Sequence, residues 1–225
     1  MRPFVRAISC LSALLVPAVA HASEDTQYWQ TANVAVDLGG GFRASNETVF
    51  RSSDAKGFYE IEDNFMVGYK PTKKVTLWLG YTHDPNYSHG NFTVMEHRIR
   101  QQVSLDNIAK LGPVSFSGRL RLEERWREGV TGTAWRLRPY VKAALPIANK
   151  GKTQLVVTHE SFLDLNTTGF QKVNGEDRMR NFIGINTPLL PHVGIEAGYL
   201  NQHGFVRNGP DSSDHVLMFG VNASF

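Results

Sequence analysis

The stretch HVLMFGVNASF, residues 215–225, decides the fold. Leu217, Phe219, Val221, Ala223 and Phe225 fall on one face of an extended chain, and Val216, Met218, Gly220, Asn222 and Ser224 on the other. Successive strand side chains point to opposite sides of a sheet. Here the alternation runs to the terminal carboxylate, where a soluble domain usually frays. A strand patterned to its last residue is expected where a sheet must close on itself in lipid, because backbone groups in lipid have to be paired.

Working back from that strand, period-two alternation recurs along the chain and helical periodicity does not. It predicts ten strands, at 27–38, 58–69, 75–83, 93–105, 114–127, 134–146, 153–163, 178–187, 192–202 and 214–225. Short gaps (KPTKK, DNIAKLGP, IANKGK, PLLP) alternate with mostly longer ones, the longest being GGGFRASNETVFRSSDAKG, and both termini fall at the short-gap end. Residues 23–225 are therefore expected to form an all-β fold: a single ten-stranded antiparallel up-and-down transmembrane β-barrel with short periplasmic turns and longer extracellular loops.

Residues 1–22 read as a leader. Arg2 and Arg6 precede an apolar run broken by Pro17, then the small-residue site Ala20-His21-Ala22. This is the layout of a cleaved signal peptide. The run is too short to span a bilayer as a helix. Cleavage before Ser23 removes the one cysteine, Cys10, and with it any disulfide or thiol chemistry. It also lowers the balance from 24 basic against 21 acidic residues to 22 against 21, so the basic pI is no sign of nucleic-acid binding. The expected location is the outer membrane of a Gram-negative bacterium.

A membrane barrel turns its apolar face outward. The first strand would show lipid Ala32, Val34, Val36 and Leu38, and Tyr59, Tyr69, Trp126 and Trp135 would mark the band's edges, where rings that are part apolar and part polar settle. Phe225 would then be an assembly signal, since outer-membrane barrels commonly end in an aromatic that their folding machinery reads. That machinery, outer-membrane lipids and lipopolysaccharide are the expected partners.

Gln27 and Trp29, the Arg136-x-Arg138-x-Tyr140 strand, Glu160-x-Phe162 and Arg180-Asn181 occur in that order. In these motifs the chain resembles the bacterial family catalogued as domain of unknown function twenty-four ninety. The resemblance implies an outer-membrane barrel and supplies no activity.

By parity, Glu96, Arg98 and Arg100 point into the barrel, as do Arg119, Arg121, Glu123, Arg125 and Arg127, then Arg136, Arg138 and Lys142. Three consecutive strands thus carry nine cations and two anions on one wall. Asp37, Glu60, Glu62, Glu160, Glu196, Arg178 and Arg180 are the other inward charges, with Glu160 and Glu196 expected to reach the arginines from the far wall. Arg–carboxylate forks can knit such an interior. A basic wall facing an acidic one can also favour a small anion.

His159 and Ser161 share the outward face of one strand. In these two residues the chain is similar to outer-membrane lipid A deacylases, where a histidine activates a lipid-facing serine. Phe162 stands where that family has asparagine, and no acid completes the set. His83, Asp84, Ser88, His89, Asp214 and His215 read as solvated loop residues. No metal site, phosphate loop or dinucleotide fingerprint is present in the sequence, and no cofactor is expected. The leading reading is a non-enzymatic barrel with an arginine-rich lumen, either structural or a narrow passage or binding site for small anionic solutes. A lipid-directed hydrolase using His159 and Ser161, and an adhesin acting through extracellular loops, are the alternatives.

Overall fold

The computed structural model describes residues 23–225; the expected leader lies outside the described residues. Eleven strands form one closed barrel: β1 (Ser23–Gly39), β2 (Phe42–Ser53), β3 (Gly57–Thr72), β4 (Val75–Ser88), β5 (Asn91–Leu111), β6 (Val114–Arg127), β7 (Ala134–Ala148), β8 (Thr153–Asp164), β9 (Gly175–Leu190), β10 (Val193–Gly204) and β11 (Ser212–Ser224). Each pairs antiparallel with its neighbour in sequence. No α-helix occurs among the described residues.

The strand count corrects the expectation of ten. The additional strand is β2, inside the stretch expected to be the longest loop. Its alternation is hidden because Asn46 and Thr48 occupy outward positions while Val49 is buried inside. Those two polar side chains are satisfied locally: Asn46 Nδ2 and Thr48 Oγ1 donate to Asp63 Oδ1 of β3 at 2.8 and 2.9 Å. The turn into β2 is three glycines with φ of +80°, +62° and +85° (Gly39, Gly40, Gly41), a backbone that side-chain-bearing residues rarely adopt.

Eleven strands are joined by ten antiparallel steps, an even number, which leaves β1 and β11 running the same way, so the barrel closes by a parallel pair. The termini then lie at opposite ends, not both at the short-turn end. Phe225 is still held in the seam. Its N–H donates to the Ala35 carbonyl at 2.9 Å, its carbonyl accepts from Asp37 N–H at 2.8 Å, and its ring stacks on His192. Loop asymmetry is weaker than expected, because residues 84–92 also continue β4 and β5 around a tight turn at His89 and Gly90. Tyr59 is a further correction. A bulge where Arg51 and Ser52 face Glu60 and Phe58 turns it to the barrel mouth, where its hydroxyl donates to Gln27 Oε1 at 2.7 Å.

Polarity is inverted relative to a water-soluble domain. Among the described residues 21 polar or charged side chains are buried against 10 apolar ones, while 32 large hydrophobics are exposed. The small apolar core (Trp29, Ala144, Val156, Phe182, Leu200 and Val216) lines one side of the interior.

The parallel closure is testable with Cys10 replaced by serine. In the observed register Tyr28 lies opposite Leu217. Tyr28→Cys with Leu217→Cys should oxidise to a disulfide in the refolded barrel, and Tyr28→Cys with Phe225→Cys should not. Antiparallel closure would bring the second pair together instead, and gel mobility with peptide mass mapping separates the two.

Candidate functional site

Register brings the inward charges into rows. Across β5, β6 and β7, Arg100 faces Glu123, which faces Arg136. One row nearer the short-turn end, Gln102 faces Arg121, which faces Arg138. Further along, Tyr140 of β7 faces Glu160 of β8, which faces Arg180 of β9.

Within this grid the acids act as hubs. Glu123, fully buried, accepts from Arg100 Nε at 3.0 Å, Arg136 Nη2 at 2.6 Å and Arg138 Nη1 at 2.7 Å. Glu96, also fully buried, accepts from Arg98 Nε at 2.7 Å, Arg125 Nε at 2.9 Å and Arg127 Nε at 2.6 Å. Glu62 on β3 receives Arg51 at 2.9 Å, Arg98 at 3.3 Å and Arg100 at 2.5 Å. Glu160 holds Arg138 at 3.0 Å and Arg119. A buried charge is tolerated only when paired and hydrogen-bonded, and three donors per carboxylate meet that condition for most of these arginines.

Aromatic rings support the planar guanidinium groups. The Arg138 and Arg180 guanidinium carbons lie 4.3 and 4.7 Å from the centre of Phe162, and those of Arg51 and Arg180 lie 4.4 and 4.6 Å from Trp29. Gln27, buried, orients Trp29 by accepting from its indole N–H at 2.9 Å. The short motifs singled out in the sequence thus meet in one stack.

Within this network Arg121 and Arg180 lack a carboxylate partner. Arg121 donates through Nε to Gln102 Oε1 at 2.8 Å, and Arg180 through Nε to Gln202 Oε1 at 2.8 Å. Glu196, expected to reach the basic wall, is bonded only by Asn186 at 3.5 Å. Glu160 does meet arginines, but those of β6 and of adjacent β7, so it does not reach across from a far wall. The other acids that meet the basic wall are Glu60 and Glu62 of β3, two strands from β5, and Asp84 of β4, the strand beside it. Asp84 is fully buried and pairs with Arg98, so it is no loop residue. It shares parity with Thr82, and the alternation of β4 carried two residues further would have found it. Arg51 was hidden with β2. Gln171, in the 165–174 connection, had no signal at all: it is buried, accepts from Arg125 at 3.1 Å and donates to the Trp135 carbonyl at 3.0 Å.

The interior holds three chambers. One of about 490 Å³ opens at the end where β1 begins, and one of about 260 Å³ lies beyond it. Trp29, Arg51, Glu62, Arg138 and Arg180 line both and stand where the two adjoin. The third, of about 210 Å³, is lined by Arg43, Glu47, Trp78, Gln102 and Arg121.

On the outer face, His159 Nδ1 bonds Asn181 Oδ1 at 2.8 Å and Nε2 lies 3.2 Å from Ser161 Oγ. His215 is on β11, with Nδ1 2.6 Å from the Tyr199 hydroxyl, and His83 on β4 packs near His97, so neither belongs to a loop. Among the described residues no group of three His, Cys, Asp or Glu side chains is placed to hold a metal ion.

These features define a class: a closed β-barrel, apolar outside, with an arginine–glutamate network inside. The chain belongs to the family described as protein of unknown function (DUF2490), whose model matches residues 26–213. It is 27% identical over 226 residues to an uncharacterized protein of Methylorubrum extorquens, covering 94% of this chain and 93% of that one. No solved structure matches the chain.

Glu123→Gln should cost about 3–5 kcal/mol of folding stability, because it strands three buried guanidinium groups. Glu196→Gln should change stability by no more than about 0.5 kcal/mol. Urea titration of refolded protein measures both, and equal costs would remove Glu123 from its place at the centre of the network.

Proposed function

We propose that the protein is a non-enzymatic outer-membrane β-barrel whose lumen is closed by its ion-pair network and binds small anionic solutes without conducting them. The observation that carries the reading is the inverted polarity: buried Arg100, Glu96, Glu123 and Asp84 inside, exposed Leu77, Leu79, Val141, Val157, Ile183 and Leu217 outside. In water that arrangement leaves a wide apolar surface uncovered; in a bilayer it is the arrangement required. Exposed Trp135, Tyr81 and Tyr199 toward one rim, and Phe42, Tyr69 and Phe225 toward the other, fit the two interfacial girdles. The leader supplies export across the inner membrane, and Phe225 the signal for the barrel assembly machinery. Lipopolysaccharide and phospholipid are then the surrounding partners. The ion-paired side chains between the chambers support binding over passage, and the longest connection an adhesin would use, 165–174, is tied to the interior by Phe170 and Gln171, which rest against Arg125.

Single-tryptophan variants in vesicles test this reading. Trp135 should be quenched by lipids brominated on the acyl chain, and Trp78, which faces the interior, should not. The same vesicles should hold entrapped chloride. Quenching of neither residue would reject membrane insertion, and rapid chloride leakage would reject a closed lumen.

A second reading rests on one observation, the relay from Asn181 through His159 to Ser161 on the outer face. It orders a serine and a base toward lipid, as a lipid-directed hydrolase needs. The ladders around it engage the strand amides that would have to stabilise an oxyanion. Mass spectra of lipids from cells overproducing the protein should therefore show no lost acyl chain. An acyl loss abolished by both His159→Ala and Ser161→Ala would establish the hydrolase.

A further inference from the structure

The 260 Å³ chamber has walls of two kinds. Arg121 of β6 and Arg180 of β9 line it, and they are its two arginines with no carboxylate partner. Arg121 is 6% exposed, and no protein group bonds its terminal guanidinium nitrogens. The apolar wall is Phe182, Leu200 and Met218, part of the small apolar core. Phe182 lies flat on bare backbone: a Cβ on Gly184 would stand 2.3 Å from its Cζ.

Charge sets the valence of an occupant. Five guanidinium groups and four carboxylates line the chamber, a surplus of one positive charge. Glu62 and Glu160 are taken up by arginines, while Glu47 and Glu196 are bonded by Asn64 at 3.3 Å and Asn186 at 3.5 Å. Size sets its bulk, since pockets for drug-sized ligands run about 300–1,000 Å³ and this one is smaller.

We infer that this chamber is a binding site for a small amphiphilic monoanion, a compact apolar body bearing one carboxylate. The carboxylate meets Arg121 and Arg180, where a planar fork can be bonded by two nitrogens. The apolar body lies on Phe182, Leu200 and Met218. The inference rests on the lumen being a closed binding chamber, and it adds where the anion sits and what else it must carry.

Calorimetry on the full chain refolded in detergent, with empty micelles as the blank, tests it with three probes: benzoate, benzyl alcohol and inorganic phosphate. Benzoate should bind at one site per barrel, and the other two should not bind measurably. Arg121→Gln and Arg180→Gln should each weaken benzoate by roughly tenfold or more, the loss of one charge-assisted contact. Arg121→Gln should keep the heat-modifiable gel migration of the folded barrel, because no carboxylate depends on it.

Gly220 supplies a variant that leaves every charge in place. It lines the chamber, and a Cβ there meets nothing closer than 3.8 Å, so Gly220→Val should fold and exclude benzoate. Benzyl alcohol binding as well as benzoate would overturn the role of the arginines. Phosphate binding as well would overturn the role of the apolar wall. Absence of benzoate binding in wild-type protein, with vesicles still tight to chloride, would overturn this site and leave the closed lumen standing. Chloride leakage would reject the closed lumen, and this site with it.

Discussion

A wall of eight strands encloses an interior that ordinary side chains just fill, and diameter grows with strand number. Eleven strands leave more space, and this chain fills it with its longest side chains. Arginine reaches furthest but brings a charge, and a charge away from water must be paired. That constraint orders the rest of the interior. Glu96 and Glu123 stand among the arginines of their own wall, and Glu60, Glu62 and Asp84 come over from β3 and β4. Amides take the remaining valences, Asn64 from Arg100 and Gln102 from Arg121. Such a core is costly to assemble and intolerant of a single missing carboxylate, since the desolvation already incurred is then uncompensated. It also forbids slippage, because a one-residue shift of any strand would turn its charges outward.

Closure imposes the second constraint. With an odd strand count the seam must be parallel, and its register is set over the whole of β11, from Ser23 opposite Ser212 to Ala35 opposite Ser224. Phe225 extends that ladder beyond β11, bonding both Ala35 and Asp37. The terminal aromatic therefore has a structural use within the barrel, whatever else reads it. Its alternation persists to the last atom because that atom's neighbours are paired.

How much of this was legible in the sequence depended on whether alternation was clean. β3 to β11 were readable because their outward residues are nearly all apolar. β2 was not, since Asn46 and Thr48 face outward and are paid for by Asp63, a partner 15 to 17 residues away that periodicity cannot see. Losing β2 also lost Arg51, the direction of the seam and the place of the N-terminal end. The arginine wall was legible from parity alone. Its pairing was not, because pairing depends on which rows meet. Glu160 was placed across the lumen when register sets it beside Arg138, and Asp84 was assigned to a loop because β4 runs past the point where its apolar residues stop. Gln171 comes from an irregular connection, where side-chain direction follows no period.

The interior is asymmetric for a reason that strand order makes plain. The hub carboxylates lie on β3 to β8, whereas β9, β10 and β11 carry Gly184, Gly198 and Gly220 at inward positions. A Cβ on Gly198 would stand 2.3 Å from the Ile183 carbonyl and 2.7 Å from the Phe182 ring, so that wall is thin where Phe182 lies on it. Space released by the glycines is taken by one aromatic ring and by the 260 Å³ chamber. Arginines fill the opposite half at high density because each hub carboxylate draws several of them in. Between the halves stand Arg180 and Arg121, each held by a glutamine and not by a carboxylate. An interior that saturates most of its buried charges and leaves two beside an apolar wall keeps its free energy of charge burial where a ligand can recover it.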